Sequence, residues 1–243
     1  MTGRPDVRQR TNWRSVAAGL ILFGISFGYV EATVVVYLRT IYEPLRISLR
    51  PDRPAGELFP LITIDQLKNS VPDRTWLLGV EVAREAATLL MLGSVALAAG
   101  GRAWWLASFA IAFGTWDLFY YVFLRVLLHW PTSVMTWDIL FLIPVPWAAP
   151  VLAPSIVSAT IIAAGVFALA RHIHLLPWHW TAVTLGCLLI LMSFMWDYRN
   201  LLAGGLPRPF AWPLFGAGEL MGLAAFLHAL RASNVGARRE PLS

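Results

Sequence analysis

Charge is scarce in this sequence, and lysine and cysteine nearly absent. Only 14% of the residues are Asp, Glu, Lys or Arg, against about 25% in soluble domains. All but one of the nineteen basic residues are arginine. The one lysine, Lys68, falls in a polar loop, so no lysine inside an apolar segment can carry a Schiff base. The single cysteine, Cys187, excludes an intrachain disulfide and any cysteine-based metal or iron–sulfur cluster. The five histidines form no His-x-x-x-His or Glu-x-x-His pair within an apolar run. A histidine-rich zinc, di-iron or haem site is therefore not expected. Walker, dinucleotide-binding and Gly-x-Ser-x-Gly motifs are missing as well. The net charge of +5 comes from arginines spread over segment ends and loops. A basic face for nucleic acid is not implied by that distribution.

What fills the sequence instead is apolar. Hydrophobic residues make up 58%, the mean hydropathy is +0.63, and there are twelve tryptophans. Continuous apolar runs, rather than alternating ones, point to membrane-spanning helices and away from a β-barrel. The pattern predicts an all-α polytopic membrane protein with six transmembrane helices, near 14–38, 74–99, 103–126, 151–171, 179–200 and 212–231. Between the third and fourth, the proline-broken stretch around 133–147 reads as a short re-entrant or interfacial helix. The long loop 39–75, interrupted by five prolines, reads as a lid. The basic tails, 1–13 and 232–243, place both termini in the cytoplasm by the positive-inside rule. Counted with the tails, lysine and arginine come to nine on each side, so the long loop offsets the tails.

Against this background the intramembrane acids stand out. No residue from Ala103 to Trp116 is charged, and then comes Asp117. A carboxylate there costs about 2.5–3.5 kcal/mol on insertion scales, so such residues are functional by default. Glu31, Glu81, Glu85, Asp138, Asp197 and Glu219 also interrupt apolar stretches. With six alternating helices, all seven fall in the same half of the bilayer, the half that carries the long loop. Arg84, Arg125 and Arg199 offset only part of that charge. The remainder must be protonated, hydrated or cation-bound.

The residues expected to carry chemistry are Asp117, Glu85 and Asp138 as acid/base groups. Arg84, Glu31, Trp116, Tyr120, Tyr121 and Trp137 are expected to bind substrate, Arg84 through an anionic head group and the aromatics by lining an apolar slot. If a metal binds, Glu31, Glu85, Asp117 and Asp138 form an all-oxygen set suited to a hard divalent cation such as magnesium, calcium or manganese. Each residue also has a structural reading. Glu31 and Arg84 form a polar clamp, Glu81 favours a helix start, Asp138 stabilises the start of a short helix, and Asp197 and Arg199 are interfacial. Three functions fit: an enzyme on a lipid or isoprenoid-type substrate, a small proton- or cation-coupled transporter, or an assembly subunit of a membrane complex. The partners implied are membrane lipid and either a second copy of the chain or another membrane protein, not nucleic acid.

Overall fold

The computed structural model describes residues 12–53, 57–71, 75–171, 173 and 175–237, with side chains given to 233. Most of the basic tails, and His172 and His174, lie outside the described residues.

Helix α1 spans Trp13–Leu49, opened by Asn12, whose side chain accepts from the Arg14 N–H at 3.1 Å. It does not stop at residue 38, as the sequence suggested, but runs on through Pro44. The reason is periodic. Glu31, Val35, Leu38, Arg39, Tyr42, Glu43 and Arg46 recur at three- and four-residue spacing, and all face one cavity. That continuous stripe outweighs the hydrogen bond that Pro44 cannot donate. At 1.5 Å per residue α1 is about 55 Å long, so its end stands beyond a hydrocarbon core of about 30 Å. The loop is accordingly shorter than 39–75 and begins after Leu49. Within it lies α2, Ile64–Ser70, started by a capping box between Thr63 and Gln66.

Helix α3 spans Trp76–Leu128 but is broken at Gly101, whose φ of 59° and ψ of −170° suit glycine alone. The Trp105 indole N–H donates to the Gly93 carbonyl at 2.9 Å. In a straight helix, residues twelve apart are about 18 Å apart, so the chain folds back at this corner. Its 53 residues therefore hold two crossings. Among the described residues, five helices are long and apolar enough to span a membrane, and the doubled α3 brings the crossings to six. The chain is an all-α, multi-pass membrane protein.

After α3 the structure corrects the sequence reading. No re-entrant helix forms over 133–147. Strands β1 (Trp137–Phe141) and β2 (Trp147–Pro150) make an antiparallel hairpin, with Asp138 opposite Ala149 and Ile139 opposite Ala148. Pro144, Pro146 and Pro150 lack the N–H groups that a helix needs. The short apolar run 137–141 had no periodicity to separate strand from helix. Cross-strand bonds, together with Val151 N–H to the Thr136 carbonyl at 3.0 Å, satisfy the backbone instead.

Helices α4 (Leu152–Arg171), α5 (Pro177–Met195), the short α6 (Tyr198–Leu202) and α7 (Trp212–Ala237) complete the chain. The main core joins α1, both halves of α3 and α4 around Leu20, Leu92, Ile111, Trp116, Phe141 and Leu169. Helices α5 and α7 meet glycine to glycine, where a Cβ on Gly186 would lie 2.7 Å from the Gly218 carbonyl.

Candidate active site

One cavity of about 400 Å³ gathers side chains from α1, the loop, α2, α3 and β1. That volume lies within the range of small-molecule sites, about 300–1,000 Å³. Seven carboxylates face it: Glu31, Glu43, Glu57, Glu81, Glu85, Asp117 and Asp138. Three guanidinium groups face it: Arg39, Arg46 and Arg84. Val35, Leu38, Leu77, Leu78, Leu140 and Phe141 give apolar wall, and Leu58, Leu61, Ile62 and Leu67 reach it from the loop and α2.

The ion pairs divide these carboxylates into two groups. Arg84 is held twice, by Glu81 at 2.9 Å from its Nε and by Glu31 across the α1–α3 contact. Thr88 also donates to Glu31, at 3.5 Å. Glu31 and Arg84 thus form the clamp that was one reading of the sequence. The Arg84 guanidinium donates to carboxylates on both sides of the α1–α3 contact. Glu43 pairs with Arg46 at 2.7 Å, and Glu57 lies 3.9 Å from Arg53. Among the described residues, Glu85, Asp117 and Asp138 belong to no ion pair.

These three are held by neutral donors. The buried Glu85 carboxylate accepts from the Leu142 N–H, at 2.8 and 3.1 Å to its two oxygens. Leu142 follows the last residue of β1, so the hairpin directs a free backbone donor at α3. Asp117, partly buried, accepts from the Ser158 hydroxyl of α4 at 2.8 Å. Asp138, 3% exposed, is bonded by the Tyr121 hydroxyl and the Ile139 N–H, while its Oδ2 has no partner. Burial pushes the Asp138 carboxyl up to about 7, against the opposing pull of Arg39, the Tyr121 hydroxyl and the Ile139 N–H. The Trp116 Nε1 is also buried without a partner, and Trp116 lies with its ring 6.3 Å from Phe141 and 6.5 Å from Tyr120.

Of the residues expected at the site, Glu31, Arg84, Glu85, Trp116, Asp117, Tyr120, Tyr121 and Asp138 all line this cavity. Trp137 does not. It packs edge-on against Phe59 and Phe210, at 6.4 and 6.1 Å, because it opens the strand on the side of the α5–α7 loops. Asp138 begins no helix; it sits in β1. Asp197 and Glu219 also lie elsewhere. Asp197 fixes the α6 corner by accepting from the Arg208 N–H and the Asn200 amide, each at 2.9 Å. Glu219 is bonded to Thr160, with its Oε1 buried and unpartnered. Among the described residues, no three of His, Cys, Asp and Glu come together as a metal-holding set. Glu31, Glu85, Asp117 and Asp138 share a cavity without forming such a cage.

Sequence reasoning missed Arg39. Its guanidinium lies 4.1 Å from the Trp130 ring centroid, and its Nε is buried without a partner. The signal was present: Arg39 is two helical turns beyond Glu31, on the stripe that carries α1 past residue 38. A second pairing, His179 Nε2 to His228 Nδ1 at 3.0 Å, ties α5 to α7 away from the cavity. Residues 49 apart in sequence gave no spacing from which to infer it. Comparison with protein-family models, with curated proteins and with solved structures finds no match for this chain.

Proposed function

We propose that this protein is a membrane-embedded enzyme that performs acid/base chemistry on a lipid or isoprenoid-type substrate. The observation that supports it is the state of Glu85, Asp117 and Asp138. They come from the two halves of α3 and from β1, line one apolar-walled cavity, and among the described residues belong to no ion pair. A stability role would favour pairing such groups, because an unpaired buried charge is costly. An acid/base role favours leaving a carboxyl free to take and give a proton.

In this reading the apolar wall receives the substrate's chain, and the loop with α2 covers it. One carboxyl of the three donates a proton and another accepts one. Glu31 and Arg84 position the walls rather than the substrate. The cytoplasmic tails follow from their arginines, which puts the cavity in the outer half of the bilayer. The lining residues of α1 run from its midpoint, Glu31, to Arg46, and those of the first half of α3 from Leu77 to Thr88. That one-sided arrangement favours an enclosed site over a conduit through the membrane.

The test is conversion in membranes. Lipid extracts from cells expressing the wild type are compared by mass spectrometry with those from cells expressing Asp117→Asn, Glu85→Gln and Asp138→Asn. The wild type gives a product that each variant forms at least about 10²-fold more slowly, at equal protein level in the membrane. Wild-type conversion by all three variants would refute the assignment. Proteoliposome uptake that follows a pH gradient, without conversion, would replace it with transport.

A further inference from the structure

The charge left over around the cavity bears on the kind of molecule it takes. Among the described residues, three lining carboxyl groups remain after the ion pairs are drawn, and Arg39 is the lining arginine that those pairs do not include. Asp138 Oδ2 is unpartnered on a side chain 3% exposed. Beside it stand aromatic side chains: Trp116, Tyr120, Tyr121 and Phe141 all line the same space. Trp116 is 5% exposed and Tyr121 7%. Aromatic faces and carboxylates attract the same sign of charge, and together they form the kind of surface that recognises quaternary ammonium groups. A phosphate or carboxylate head group would meet these three acids with only Arg39 outside an ion pair.

Resting on the reading above, we propose that the cavity selects positive charge carried on an apolar chain. The charge has two sources that share this chemistry. It is permanent, on an ammonium head group, or it is transient, on a carbocation formed from an alkene. In the second case a protonated carboxyl gives its proton to one alkene carbon, forming a C–H bond and leaving the positive charge on the other. A second carboxylate then removes a proton from a neighbouring carbon. The electron pair of that C–H bond closes a new double bond. The step gains and loses no electrons and returns one proton for the one delivered.

The experiment uses the full chain purified in a neutral maltoside detergent. Binding of a long-chain alkyltrimethylammonium is compared with that of the alkyl sulfate and the alcohol of equal chain length, by thermal stabilisation across a concentration series. The ammonium compound is expected to bind about tenfold or more tightly than the sulfate. Glu85→Gln combined with Asp117→Asn should remove that preference. Equal binding, or a preference for the sulfate, in the wild type overturns the proposal without recourse to any variant. Lipid co-purifying with the wild type separates the sources. An ammonium lipid assigns permanent charge, a neutral unsaturated lipid assigns transient charge, and an enriched anionic lipid overturns the proposal. Selective binding without any lipid conversion would reject the enzymatic reading and leave this one standing. Conversion without selectivity would do the reverse.

Discussion

Arg84 and Asp138 are opposite solutions to the same problem of charge in an apolar setting. Arg84 sits between Glu31 and Glu81, with all three side chains at least three-quarters buried. Removing the cation leaves two carboxylates facing each other without compensation. Arg84→Met is therefore expected to cost about 3–5 kcal/mol, read as a lower unfolding midpoint in detergent, and adding Glu31→Gln should recover part of it. Asp138 has no such partner, and its carboxyl is raised to about 7 by burial. A raised carboxyl binds its proton more tightly in the folded than in the unfolded chain. Its contribution to stability is complete below the unfolded value of about 3.9 and is lost as pH rises toward 7. Asp138→Asn should flatten the fall in unfolding midpoint over that window. An unchanged pH profile would show that Asp138 is already ionised and solvated.

At the scale of elements, the cavity depends on how closely α1 approaches α3. A Cβ on Gly28 would lie 2.9 Å from the Trp116 carbonyl and 3.0 Å from the Tyr120 N, both backbone atoms of the opposing helix. A Cβ on Gly24 would lie 2.7 Å from the Thr115 Cβ. Gly28→Val must therefore push the helices apart, at a cost of about 1–3 kcal/mol. It moves Glu31 away from Arg84 on one side of the contact and Trp116 and Tyr120 on the other. The expected outcome is a folded membrane protein with lower stability and, under the proposed function, weakened lipid conversion, while Gly19→Val, where nothing lies within 4 Å of the added Cβ, should behave as wild type. The hairpin is the other positioning element. Its end directs the Leu142 N–H at Glu85, so a β-structure of nine strand residues holds one carboxylate of the site and supplies another.

At the scale of the whole molecule, the fold class was legible because the bilayer fixes helix length and apolar runs report it directly. The six crossings follow from that, including the doubled α3, whose corner Gly100-Gly101 marks in the sequence. The site was legible in part, because alternation of helices brings acids to one depth whatever their distance in sequence. Depth is not direction, however. The same rule grouped Asp197 and Glu219 with the other acids, and they lie apart from the cavity, while Arg39 belongs to it and was assigned to a loop. The hairpin was not legible, since five apolar residues between prolines carry no period. Trp137 was misplaced for the same reason: its side of the strand depends on a register that the sequence does not state.

Glu85, Asp117 and Asp138 line one space and, among the described residues, stand outside every ion pair, which leaves them free to hold protons. A hydrophobic carbodiimide, which reacts with protonated carboxyls in apolar surroundings, tests this most directly when the adducts are mapped by peptide mass spectrometry. Labelling is expected at one of these three residues per molecule, with the first adduct blocking the other two, and none at Glu31 or Glu81. Labelling at Glu31 or Glu81 instead, or independent labelling of all three on one molecule, would contradict it.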